Sequence, residues 1–98
     1  MGTIWNTPNG DWAVCDGDGP TGVKGYIAQR PQGWIIIGNE AAGLFLDQET
    51  AASRILGERI QGTSEYTIER NGITNIVRTY PGVIERLKKN GWRPLGKL

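Results

Sequence analysis

The run Trp34-Ile35-Ile36-Ile37 constrains this chain more than any other stretch. Four bulky apolar residues, three of them β-branched, stand between the turn formers Pro31-Gln32-Gly33 and Gly38-Asn39. A run this short and this apolar predicts a strand covered on both faces. Its neighbours follow from turn chemistry. Residues 26–30 can run antiparallel into it through Pro31-Gln32-Gly33, and Leu44-Phe45-Leu46 can return after the small-residue stretch 39–43, which gives a three-stranded meander. Asp47 then reads as a helix N-cap, with Glu49 adding negative charge near the positive helix end. Ala51, Ala52, Ile55, Leu56 and Ile60 recur at helical spacing, Gly57 weakens the last turns, and Gly62 is the expected stop. A competing reading caps at Asn39 and runs one helix over residues 40–60. It would bury Gly43 inside the helix and point residues 44–46 in all directions.

The second half repeats the order strand, strand, helix. Asn71-Gly72 between residues 65–70 and 73–80 is the signature of a two-residue type I′ turn. That register puts Tyr66 opposite Val77 and Ile68 opposite Asn75 on one face, with Glu65 opposite Arg78 on the other. Pro81 suits a first helical turn, Val83, Ile84 and Leu87 form the apolar stripe, and Asn90-Gly91 closes the helix with Trp92 folding back on Leu87. Residues 92–98, broken by Pro94 and Gly96, form an edge strand or a loose end. At the other end, residues 3–6 and 11–16 read as a hairpin about Pro8-Asn9-Gly10 with Trp5, Trp12 and Val14 on its buried side. With 98 residues and 38% hydrophobic content there is room for one core, so the expectation over residues 1–98 is a single α+β domain. Its antiparallel sheet has five to six strands, with two helices packed on one face.

Chemistry is narrowed by what the chain lacks. It has no histidine and one cysteine, so Ser-His-Asp and Cys-His sets, His-containing zinc sites and thiolate metal sites cannot be built, and no metal or cofactor is expected. Cys15 has no partner for an internal disulfide and reads as a buried, inert thiol. Ser53 and Ser64 lack a nucleophile elbow. Gly17-Asp18-Gly19-Pro20-Thr21-Gly22 is formally a GxGxxG string, but a strand pattern follows it where a dinucleotide loop must open a helix. Read as a calcium loop, it has Pro20, Thr21 and Ile27 where an EF-hand needs an oxygen ligand, a glycine and a glutamate. It is taken as a surface loop. No apolar stretch reaches the roughly 20 residues of a membrane helix, and the amino-terminal residues lack signal-peptide character, so the expected location is the cytoplasm.

What remains is binding. Net charge is +1, but residues 1–50 sum to −4 and residues 51–98 to +5. The basic C-terminal segment Arg86, Lys88, Lys89, Arg93 and Lys97 surrounds Trp92, a combination suited to nucleic-acid phosphates and base stacking. Four Trp and three Tyr are many large rings for so small a core, and such rings dominate protein interfaces. Trp34 reads as core, whereas Trp5, Trp12 and Trp92 lie near turns and can serve as contacts. The sequence is therefore read as a non-enzymatic protein-interaction module. Its narrower form is a small inhibitor or adaptor, such as the anti-CRISPR proteins with which phages oppose host defence. The alternative is a nucleic-acid-binding or nucleoprotein-associated domain. Candidate binding residues are Trp92, Arg93, Lys88, Lys89, Arg86, Trp5 and Trp12.

Overall fold

The computed structural model describes residues 2–18 and 21–98. Strands β1 (Gly2–Asn6), β2 (Trp12–Asp16), β3 (Val23–Arg30) and β4 (Gly33–Ile36) form a four-stranded antiparallel meander in chain order. The first hairpin turns at residues 7–11, where Thr7 donates its N–H to the Asp11 carbonyl. The third, β3–β4, turns at Pro31-Gln32 as expected, with Gln29 opposite Trp34 and Ile27 opposite Ile36. The glycine-rich stretch read as a surface loop contains residues 19 and 20, which lie outside the described residues.

Helix α1 (Gln48–Leu56) starts where the sequence places it: Asp47 accepts the Thr50 N–H on its carboxylate at 2.7 Å. It ends earlier than expected, because Gly57 takes a left-handed conformation (φ 68°) and both Gly57 and Glu58 donate N–H groups to the Ser53 carbonyl. A glycine that closes the terminal hydrogen bonds is a stop, not a weak point inside the helix. Ile60 consequently falls beyond the helix and is exposed.

After α1, β5 (Ser64–Arg70) and β6 (Ile73–Thr79) form the expected hairpin, with Tyr66 opposite Val77, Ile68 opposite Asn75 and Glu65 opposite Arg78. Asn71 and Gly72 have the positive φ values, 56° and 81°, of a type I′ turn. Helix α2 (Pro81–Lys89) begins on Pro81 and ends as a Schellman motif, with Trp92 N–H on the Leu87 carbonyl at 3.0 Å. Strand β7 (Arg93–Lys97) returns antiparallel to β5 and makes a second sheet in the order β6-β5-β7.

Three expectations are corrected. Among the described residues the strands number seven, in sheets of four and three, where five or six in one sheet were expected. Residues 44–46 do not form a full strand; Phe45 alone pairs with Trp34 on one side and Ile76 on the other, joining the two sheets at one residue. The helices pack on opposite faces, not on one. Phe45, Trp34 and Ile76 belong to the core under α1, together with Val14, Ile27, Ile36, Ala51 and Ala52. Leu46, the next residue, belongs to the core under α2, with Tyr66, Ile68, Val77, Ile84 and Leu87. The β5–β6 hairpin carries apolar residues on both faces, and each face needs a cover.

Candidate binding surface

Because α1 and α2 cover different halves of the joined sheet, one face of the four-stranded meander has no helix on it. Side chains alternate along a strand, so Ile4, Trp12, Val14, Ile27, Trp34 and Ile36 point to α1. Thr3, Trp5, Ala13, Cys15, Tyr26, Ala28 and Ile35 point the other way. The run 34–37 is thus covered on one face only: Ile36 is buried, Ile35 is half-buried and Ile37 is exposed. For the same reason Trp5 and Trp12 do not share a buried side, since Ala13, not Trp12, pairs with Trp5.

The open face has a definite relief. Trp5, Ala13 and Tyr26 sit opposite one another on β1, β2 and β3, which sets the backbones that carry the two rings about 10 Å apart with a methyl group between them. Trp5 is 43% and Tyr26 44% exposed, whereas Ala13, Cys15 and Ala28 are buried at the floor. The Trp5 indole donates its Nε1–H to Thr3 Oγ1 at 2.9 Å, which fixes the ring along its strand. Beside Tyr26 the face deepens into an open depression of about 590 Å³ bounded by Ile37 and the β1–β2 turn at Pro8 and Asn9.

The basic segment is arranged differently from its sequence. Lys88 pairs with Glu85 at 3.2 Å, and Arg93 pairs with Glu69, whose carboxyl that hydrogen bond holds below the ordinary glutamate range. Arg86 and Lys89 are exposed on α2. Trp92 is a cap anchor: it packs with Leu87 on the second core and lies 4.3 Å beneath the guanidinium of Arg70. Trp12 meets Trp34 edge to face at 6.3 Å on the α1 side. Of the seven candidate residues, Trp5 alone lies on the open face, where Tyr26, absent from those seven, joins it. The signal for that face was the alternation of small and large residues, Ala13 and Cys15 against Tyr26 and Ile35.

Two further features are polar. Arg30, Gln32, Leu46, Arg70, Asn75 and Trp92 line a cleft of about 370 Å³ between the β3–β4 turn and the end of the β5–β6 hairpin. On the α1 side, Glu65 is 8% exposed and held by Arg54 and Arg78. The Arg54 hydrogen bond, with the two positive charges, keeps its carboxyl below the usual carboxylate range. Glu65 is therefore a fixed charge that ties α1 to the hairpin, unsuited to donating a proton near neutrality.

Among the described residues no helix is long and apolar enough to cross a membrane. Compared with protein-family models, with curated proteins and with solved structures, the chain gives no match in any of the three.

Proposed function

We propose that the chain is a non-enzymatic protein-interaction module that docks through the open face of its four-stranded sheet. One observation carries this reading: Trp5 and Tyr26 stand exposed on either side of a floor of small buried residues, on a sheet face that neither helix covers. Apolar rings held rigidly by a sheet offer large contact area at low entropic cost, and contiguous exposed patches of this kind mark interaction sites. The narrower role, a small cytoplasmic inhibitor or adaptor of the kind phages direct at host defence, rests on the uncovered aromatic face together with a sequence that has no histidine and one cysteine. The nucleic-acid alternative is weakened by the pairing of Lys88 and Arg93 with Glu85 and Glu69.

The test is affinity capture from bacterial lysate, with and without nuclease, using the wild-type protein, a Trp5→Ala/Tyr26→Ala variant and a Lys88→Glu/Lys89→Glu/Arg93→Glu variant. A protein captured despite nuclease, retained by the charge-reversed variant and weakened about 30-fold or more by loss of the rings, is the expected result. Capture that disappears on nuclease treatment and on charge reversal would instead assign the function to the basic segment.

A further inference from the structure

Three of the arginines are ion-paired within the fold: Arg54 and Arg78 share Glu65, and Arg93 pairs with Glu69. Arg30 and Arg70 have no carboxylate partner among the described residues, and both line the cleft beside Trp92, whose lining contains no Asp or Glu. Arg70 is held in position before any ligand arrives. Its guanidinium stacks on the Trp92 ring at 4.3 Å and donates through Nη1 to the Asn90 carbonyl at 3.2 Å, which leaves most of its five donors unused. The cleft walls are also braced. Asn75, almost wholly buried, donates its Nδ2 to the Gln32 carbonyl at 2.9 Å and so ties the β3–β4 turn to β6. Two uncompensated guanidinium groups at a preformed concavity are a site for a planar anion.

The cleft also opens onto the docking face. Arg30 lies on the same face of β3 as Tyr26, four positions further on, which is about 13 Å along the strand. Between them that face presents Ala28, flanked by Ile35 on β4. We infer that the cleft is a carboxylate-recognition site: it receives an Asp or Glu side chain from an extended segment of the protein partner, whose apolar side chains cover Tyr26 and Ile35. This inference rests on the docking reading given above. A polynucleotide fits the same track less well, because Asp11 lines the depression beside Tyr26 and would repel its phosphates.

The probe is a random peptide library displayed on phage and panned against the intact protein, with selected peptides then measured by calorimetry. The expected peptides carry an acid beside aromatic or aliphatic residues. Changing that acid to its amide weakens binding about tenfold or more, the scale of a hydrogen bond to a charged group. Arg70→Met and Arg30→Met weaken the wild-type peptide similarly but leave the amide peptide unaffected, and Arg70→Lys, which keeps the charge and loses the planar fork, falls between. Each variant is first shown to unfold cooperatively. Peptides that need Tyr26 but are indifferent to the acid overturn the carboxylate site and leave the docking face standing. Peptides that need the acid and both arginines but not Tyr26 support the site and overturn the docking reading. Failure to select any peptide, or competition by a single-stranded oligonucleotide, overturns the inference.

Discussion

Replacement of Glu65 by Gln keeps the shape of the side chain and removes its charge. Glu65 accepts from Arg54 through Nε at 3.2 Å and through Nη2, and its second carboxylate oxygen lies 3.4 Å from Arg78 Nη2. Removing one partner of a fully buried pair costs about 3–5 kcal/mol, because the other is left buried and charged. The Arg54 side chain is 35% exposed and can rehydrate, but Arg78 keeps a buried Nε with no hydrogen-bond partner. We therefore expect a loss of about 2 kcal/mol at pH 7, below the fully buried figure. For a domain of this size that is a fall in Tm of roughly 8–16 °C. The sign with pH is fixed by the direction of the Glu65 shift. The folded-state pKa lies below the unfolded one, so the wild-type advantage is complete above the unfolded value and shrinks as pH falls through the folded value. Thermal unfolding of both proteins from pH 7 downward should show two melting curves that converge in acid. A gap that stays constant with pH, or one under about 0.5 kcal/mol, would refute the reasoning, since the pair would then be no better than a surface salt bridge.

A Cβ on Gly33 would lie 2.7 Å from both Asn75 Nδ2 and the Phe45 carbonyl oxygen, at a φ of 154°. Gly33→Ala should therefore cost more than about 2 kcal/mol in urea unfolding. Gly82, inside α2 with open space around it, is the contrast: Gly82→Ala should stabilise by about 0.5–1 kcal/mol, and a loss there would contradict the helix placement. Cys15 is completely buried, so a thiol reagent should label it only on unfolding; prompt labelling of the native protein would contradict its place at the floor of the open face.

Features written locally were legible in the sequence. Asn71-Gly72 set the β5–β6 register, Asp47 capped α1, and Pro81 with Asn90-Gly91 bracketed α2, because each is a demand of a few adjacent residues on their own backbone. Features that depend on distant partners were not. Phe45 exchanges two backbone hydrogen bonds with Trp34 while its neighbours Leu44 and Leu46 bond to Ile76, and no local pattern distinguishes a one-residue bridge from a short strand. The opposite placement of the helices depends on which face of the hairpin each helix reaches, and Glu65, Thr67, Tyr66 and Ile68 allow either. Of the binding surface, Trp5 was legible as a ring near a turn. Tyr26, Arg30 and Arg70 were not, because their significance comes from what the fold leaves uncovered and unpaired. The ion pairs of the basic segment differ in the same way: Glu85 is near Lys88 in sequence, but Glu69 reaches Arg93 only through the pairing of β5 with β7.

The single-residue junction at Phe45 also bears on how the molecule assembles. Strands β1 to β4 and the hairpin β5–β6 each join neighbours in the chain, so their loops close at small entropic cost. The junction must bring Phe45 to the distant Ile76 for a few backbone bonds and one buried ring. The two sheets should then form early and separately, with the seam closing after the rate-limiting step. Trimming Phe45 to Leu should raise the unfolding rate and leave the refolding rate nearly unchanged. A refolding rate that slows in proportion to the lost stability would show that the seam is instead part of the nucleus.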